Sequence, residues 1–346
     1  MITKTGLKRF LKNLSLLVFI LLICFLAVEF SLRITEKNNP GAIVKFPEII
    51  KPLNNHELYY ELIPNIKEYR FKNTTISTNS EGFRDYEYPI EKPENTYRIA
   101  MIGDSVTFGW GVNLKDTYAK QLENKLKSRS DYKYEVLNFG IPGYYTDQEL
   151  NLVKKNVLTY NPDMIILTYV FNDAEIAPRY NLDKKVFLYR QTIQRLKYKS
   201  YTFSFLFYNY AKVRELFKEK STTDEQDYKA YLEGVFSDNS QGWNISKNSL
   251  KKIKQISDEN NIDFLIILFP SIKPNDLQDY QLKNIHETIA SFAEENDINY
   301  LDLLPYFLTH KDTKLELDID AHPNEFTHHI IADILTNTIN PNNTFK

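Results

Sequence analysis

Ser105, Gly143, Asn172 and His322 lie far apart in this 346-residue chain, yet their types are those that acyl-transfer chemistry needs. Ser105 stands in Ile102-Gly103-Asp104-Ser105-Val106-Thr107-Phe108-Gly109, directly after a hydrophobic run over 97–102. A strand that stops at a glycine and turns leaves the serine at its carboxyl end, where ligands bind in open α/β sheets. A serine hydroxyl is a weak nucleophile until a base takes its proton, and the oxyanion that follows needs donors aimed at it. Three later segments supply candidates: Asn138-Phe139-Gly140-Ile141-Pro142-Gly143, Val170-Phe171-Asn172-Asp173, and Asp318-Ile319-Asp320-Ala321-His322-Pro323-Asn324. His322 would accept the Ser105 proton and pass it to the leaving group. A carboxylate just before it would hold the imidazole tautomer. Asp320 is preferred because a short loop can fold it back to the ring, with Asp318 as the alternative. The backbone N–H groups of Ser105 and Gly143 and the Asn172 amide are the candidate oxyanion donors. Glycine at 143 lets the backbone approach a substrate without a Cβ in the way.

These residues need a scaffold that brings strand ends together. Strand-like apolar runs over 97–102, 134–138, 164–169, 263–269 and 298–301 alternate with segments of helical spacing. Examples are Tyr118, Leu122 and Leu126; Leu150, Val153 and Val157; Leu250, Ile253 and Ile256; and Ile330, Ile331, Ile334 and Leu335. Thr146-Asp147-Gln148-Glu149 reads as a capping box, with Thr146 and Glu149 as the reciprocal pair. The alternation predicts an α/β fold, a central parallel sheet of about five strands with helices on both faces. One interval, 176–246, is aromatic and basic without a clear strand. It reads as a helical insertion. It is either a packing cap over one end of the sheet, or a lid or substrate-binding surface near the membrane or an anionic glycan.

Each residue also has an ordinary explanation. Ser105 could be a turn or N-cap serine, Asn172 and Asp173 turn residues, and His322 a packing residue. Asp104 and Asp173 read as structural, bonding within their turns. His328 and His329 near His322 suggest a metal, but the rest of a ligand set is missing. His56, His286 and His310 read as surface or packing residues. No cofactor and no metal are expected, since the chain has no phosphate loop, Cys pair or flavin fingerprint.

Taken together, the four segments resemble the blocks of the SGNH hydrolase superfamily, also called the GDSL esterase/lipase family. The resemblance covers about 97–335. It implies a three-layer α/β/α, flavodoxin-like domain over 96–340, a catalytic Ser105 and His322 with a nearby Asp, and oxyanion donors at Ser105, Gly143 and Asn172. Gly103-Asp104-Ser105-Val106 departs from the family motif in Val for Leu. Phe171 replaces the usual glycine before Asn172, and Ile319 stands where the family often has its Asp. Asn79-Ser80-Glu81-Gly82-Phe83-Arg84, with the apolar N-terminus, resembles the membrane-anchored bacterial members.

That N-terminus is the other strong signal. Residues 14–28 are apolar except Ser15; Lys4, Lys8, Arg9 and Lys12 precede them, and Arg33 and Lys37 follow. The length reaches the low end of a membrane span, and the charges put residues 1–12 in the cytoplasm. The flanks lack the small residues of a signal-peptidase site, so 13–30 is expected to stay as an anchor. Residues 31–95, rich in Pro, Asn and charge, read as an extracytoplasmic stalk or small elaboration. The net charge of −2 argues against a nucleic-acid partner. The single cysteine, Cys24, excludes an intramolecular disulfide. The expectation is a serine esterase outside the cytoplasmic membrane, acting on an O-acylated envelope glycan or a lipid. An acyltransferase using the same residues, and a non-catalytic glycan-binding or assembly protein of the same fold, are the alternatives.

Overall fold

A computed structural model of the protein describes residues 4–38, 49–53, 57–71, 74–129, 133–175, 192–193, 196–197, 199–216, 225–273, 277–317 and 321–339. The chain divides into two compact units. In the first, helix α1 (Lys4–Asn38) packs with the later helix Tyr201–Leu216. In α1 the side chains from Leu14 to Val28 are apolar and exposed, apart from Ser15 and the small or tucked-in residues among them. The Ser15 hydroxyl is satisfied within the helix, donating to the Lys12 carbonyl at 2.9 Å. The helix is long and apolar enough to cross a membrane.

The second unit holds the sheet. Its strands are β1 (Thr96–Ile102), β2 (Lys133–Asn138), β3 (Met164–Tyr169), β4 (Asp263–Leu268) and β5 (Asn299–Asp302). All neighbours pair in parallel, in the spatial order β2-β1-β3-β4-β5. The expected five-stranded α/β/α architecture is therefore present, with strand limits within a residue or two of the apolar runs. Six successive residues of β3 are buried, as a strand covered on both faces requires. The order reverses around β1, so the crevice between the β1 and β3 carboxyl ends is the topological switch point. The register aligns those ends: Met101 faces Asn138 and Ile102 faces Leu167.

The helices follow the strands in turn: α2 (Ser105–Phe108), α3 (Tyr118–Arg129), α4 (Thr146–Lys155), α5 (Tyr201–Leu216, in the first unit), α6 (Glu225–Val235), α7 (Gln241–Glu259), α8 (Lys283–Glu295), α9 (Leu304–Leu308) and α10 (Glu325–Thr338). Helix α4 corrects one expectation. Thr146 is its first helical residue rather than its cap, and the return bond runs from the Tyr145 N–H to the Gln148 side chain at 3.4 Å. The Thr146 hydroxyl is turned inward, within 2.9 Å of the Ser246 hydroxyl on α7. Glu149 is then carried into the core instead of back to the helix end. The segment ahead of the sheet contributes to this unit's core through Leu58, Leu62, Ile76 and Phe83, all buried. Within it, Tyr69–Phe71 and Thr74–Ile76 pair as a short antiparallel ribbon.

Candidate active site

The serine turn is organised by Asp104. At Gly103 a Cβ would lie 2.1 Å from the Thr107 hydroxyl, so the chain can turn this tightly only without a side chain. Asp104 then caps α2, its Oδ1 accepting the Val106 N–H at 2.8 Å. Its Oδ2 accepts from the Ser105 hydroxyl at 3.3 Å and from the Asn172 amide at 3.4 Å. One buried carboxylate thus touches side chains from the first and third segments.

His322 is delivered by a closed turn. The Leu317 N–H donates to the His322 carbonyl at 2.9 Å, and Glu316 and Pro323 form an isolated antiparallel bridge. Asn324 fixes the exit by capping α10, accepting the Thr327 N–H at 3.0 Å. His322 Nε2 is then 2.9 Å from Ser105 Oγ, across 217 residues of sequence. The Trp110 ring lies 5.7 Å from the His322 ring at 33°, with Phe71 packed edge-on against the indole. Asp320 and Asp318, the two acids expected to serve His322, lie outside the described residues.

The second segment is stitched to the serine turn. The Asn138 side chain donates to the Thr107 carbonyl and accepts the Gly140 N–H, both at 2.9 Å, while the Ile141 N–H donates to the Gly103 carbonyl at 3.0 Å. A Cβ on Gly140 would sit 2.2 Å from the Phe108 backbone nitrogen, so the two loops approach closer than any side chain allows. Gly143 follows with φ +75°, the left-handed region. The Tyr60 hydroxyl donates to the Pro142 carbonyl at 2.6 Å, holding this turn from outside. In the third segment Phe171 is buried and packs against the edges of Phe236 and His286. Asp173 folds back to accept the Val170 N–H at 2.8 Å.

Sequence reasoning missed two structural devices. The first is the Arg84-Asp85 pair. Arg84 is buried and donates to the carbonyls of Phe108 (3.0 Å), Gly109 (2.6 Å), Val112 (2.7 Å) and Thr75 (3.1 Å). Burial lowers its pKa to about 10, so it stays charged at neutral pH. Asp85 accepts the Asn138 N–H at 2.6 Å and pairs with buried Lys120 at 2.6 Å. One dipeptide therefore clamps the exit of the serine helix and the end of β2. A charged pair beside the noted glycine turn was its only sequence signal.

The second is a buried carboxyl cluster. Asp104, Glu149 and Asp173 are all in the interior. Among the described residues, neither Glu149 oxygen nor Asp173 Oδ1 has a hydrogen-bond partner. Burial, reinforced by repulsion from neighbouring acids, pushes Glu149 and Asp173 well above the usual carboxylate range. Asp104 is also raised by burial, against the opposing pull of the Val106 N–H. Of the other histidines, His286 and His328 are buried among the described residues. His328 is buried, stacked on Tyr118, and accepts the Tyr118 N–H at 3.1 Å; burial lowers its pKa to about 3. His329 is exposed and bonds Gln121, His286 bridges Tyr280 and Asp302, and His310 bonds the Tyr306 carbonyl. His56 lies outside the described residues.

Comparison with curated proteins finds no match. Similar solved structures include a protein of the lipolytic G-D-S-L family from Desulfitobacterium hafniense DCB-2. It is 15% identical, with a TM-score of 0.41, covering 70% of this chain and 99% of that one. A catalytic mutant of an acetylxylan esterase from Geobacillus stearothermophilus is 15% identical with a TM-score of 0.42, covering 70% and 93%. A psychrotrophic esterase from Pseudoalteromonas sp. is 13% identical with a TM-score of 0.41, covering 70% and 96%. The model of the GDSL-like lipase/acylhydrolase family matches residues 101–330, spanning the serine turn, both middle segments and His322. That match covers well over half of the chain, and the protein belongs to the GDSL-like lipase/acylhydrolase family, the serine hydrolases of ester bonds.

Proposed function

We propose that the protein hydrolyses O-acyl esters of a cell-envelope glycan or lipid through an acyl-enzyme on Ser105. The carrying observation is the 2.9 Å contact between Ser105 Oγ and His322 Nε2. His322 takes the hydroxyl proton as Oγ bonds to the ester carbonyl carbon. The tetrahedral oxyanion is received by the Ser105 and Gly143 N–H groups and the Asn172 amide. The C–O bond to the alcohol then breaks, and His322 returns its proton to the departing oxygen. Water, deprotonated by His322, attacks the acyl-enzyme, and the acid leaves as Oγ regains the proton. Asp320 is the preferred partner of the imidazole, with Asp318 as the alternative. Separate Asp→Asn replacements assign it, since the wrong one leaves the rate near wild type.

The envelope reading is supported by α1, whose large apolar side chains between Leu14 and Val28 are mostly exposed among the described residues. In this reading 1–12 is cytoplasmic, 13–30 is the anchor, and the hydrolase domain acts outside the membrane. The test is intact-mass labelling of the full chain in detergent with a fluorophosphonate, beside Ser105→Ala. A single adduct that is lost in the variant is the expected result. A folded wild type that takes no label would remove the nucleophile from the proposal.

A further inference from the structure

Trp110 takes no part in the proton transfers, yet its ring is held in place from several sides. Its backbone N–H donates to the Ser105 carbonyl at 3.0 Å, closing the turn that follows α2. The Gly109 and Val112 carbonyls, before and after it, accept from the buried Arg84 guanidinium. At Gly111, with φ +81°, a Cβ would lie 2.3 Å from Leu317 Cδ1, so the backbone beside Trp110 meets the His322 turn directly. Leu317 is the residue whose N–H holds the His322 carbonyl. The loop over 109–112 is therefore fixed to both the serine turn and the histidine turn. Phe71 packs edge-on against the indole at 4.4 Å, and the Phe108 ring lies tilted to it at 6.4 Å.

The result is an indole 5.7 Å from the His322 ring, at an interplanar angle of 33°. At that angle the rings are nearer to parallel than to edge-on, so the imidazole meets the face of the indole. The face of tryptophan is the best side-chain π-surface for a cation, and it acts within about 6 Å. Asp104 attracts charge on the same imidazole from beyond Ser105 Oγ, whereas Trp110 works on the ring itself. Trp110 and His322 are both half-buried, which leaves water only partial access to screen the contact.

The attraction is largest at one moment of the reaction. A neutral imidazole gains little from the indole quadrupole. As Ser105 Oγ bonds to the acyl carbon, its proton passes to Nε2 and the ring becomes a cation. A contact that strengthens while charge develops lowers the barrier without tightening substrate binding.

Resting on the reading of Ser105 and His322 as nucleophile and base, we propose that Trp110 is a positioning residue for the imidazolium. Its face holds the His322 ring and stabilises the cation that forms there in acylation and again in deacylation. Trp110 acts through His322 and not through the substrate.

The test varies the charge distribution of the indole while nearly keeping its shape. Mono-, di- and trifluorinated tryptophan are placed at position 110 of the full chain by nonsense suppression, beside Trp110→Phe and Trp110→Leu, all in detergent. Fluorine withdraws electron density from the ring face and weakens its hold on a cation stepwise. The probe is the fluorophosphonate: Ser105 Oγ bonds to phosphorus, fluoride leaves, and the hydroxyl proton passes to Nε2. Labelling over a range of probe concentrations separates the maximal rate from the half-saturating concentration. The proposal expects the maximal rate to fall with each added fluorine. Trp110→Leu should be about 2–30-fold slower than wild type and Trp110→Phe should lie between them, all with half-saturation near wild type. A maximal rate that is constant along the fluorinated series overturns the proposal, whatever Trp110→Leu does, and leaves the serine–histidine pair standing. A change confined to half-saturation means that the indole only lines the site, and also overturns it. A folded wild type that takes no label removes the nucleophile reading and this proposal together.

Discussion

Replacing Arg84 by Met tests whether the serine turn is held by the residue that the structure places beneath it. The substitution keeps most of the side-chain volume and removes the guanidinium. Four carbonyls lose their donor: Phe108, Gly109, Val112 and Thr75, now at 2.6–3.1 Å from the guanidinium nitrogens. A hydrogen bond to a charged group contributes about 1.5–3 kcal/mol, but the released cost of burying the cation offsets part of that sum. Leaving a buried carbonyl without its donor costs about 1–3 kcal/mol, and after that offset the four together are expected to cost about 3–5 kcal/mol. For a domain of this size each kcal/mol moves Tm by about 2–4 °C, so Arg84→Met should melt roughly 6–20 °C below wild type. Arg84→Lys should recover little, since an ammonium lacks the planar fork that reaches several carbonyls. Thermal unfolding of the full chain in detergent, followed by circular dichroism, gives the shift. Fluorophosphonate labelling, at a temperature where both proteins are folded, reports on Ser105. The labelling rate should fall, because the Trp110 N–H to Ser105 carbonyl bond and the Gly109 turn depend on those carbonyls staying in place. An unchanged Tm together with an unchanged labelling rate would refute the clamp.

Three more expectations come from the site and its surroundings. Asn172→Ala should lower kcat for ester hydrolysis by about 10²–10³-fold with Tm near wild type, measured on a chromogenic acyl ester. His328 is neutral when folded, with a pKa lowered to about 3, whereas the unfolded chain protonates near 6.5. Unfolding therefore takes up a proton between those values, so stability falls as pH drops through that window, by at most about 4–5 kcal/mol. In His328→Gln this loss should be absent, and denaturant midpoints at pH 7, 5 and 4 should show the variant gaining on wild type as the medium is acidified. Glu149 has the opposite sign. Its folded pKa is raised, so its contribution is present below the unfolded carboxylate range and is lost as pH rises toward the folded value. Glu149→Gln should accordingly gain in Tm over wild type from pH 5 to pH 8; a constant difference would show that no buried proton is held there.

The sheet was legible because each strand is a short apolar run between helical periods, and burial on both faces forces that pattern into the sequence. Met164–Tyr169 has the same limits in sequence and structure. Part of the candidate site was legible for a related reason: Ser105, Gly143 and Asn172 each lie within a few residues of such a run, and in a parallel sheet the carboxyl ends converge, whereas His322 comes twenty residues after β5, beyond α9. Only the tertiary structure decided the distances. His322 reaches Ser105 because a turn pinned at 316–317 and 322–323 is set against the β1 end, and no local pattern encodes that contact. The cap of α4 was misread because Thr146 finds a better partner across the core in Ser246 than at its own helix end, leaving Glu149 buried. Arg84 makes the same point. Alone, an arginine in a polar loop carries no fixed role. It becomes a clamp when four carbonyls, 9–28 residues away in sequence, surround it. Periodicity records whether a residue is buried by its own element; what it is buried against depends on other segments, 9–28 residues away for Arg84, 100 for Thr146 and 217 for His322.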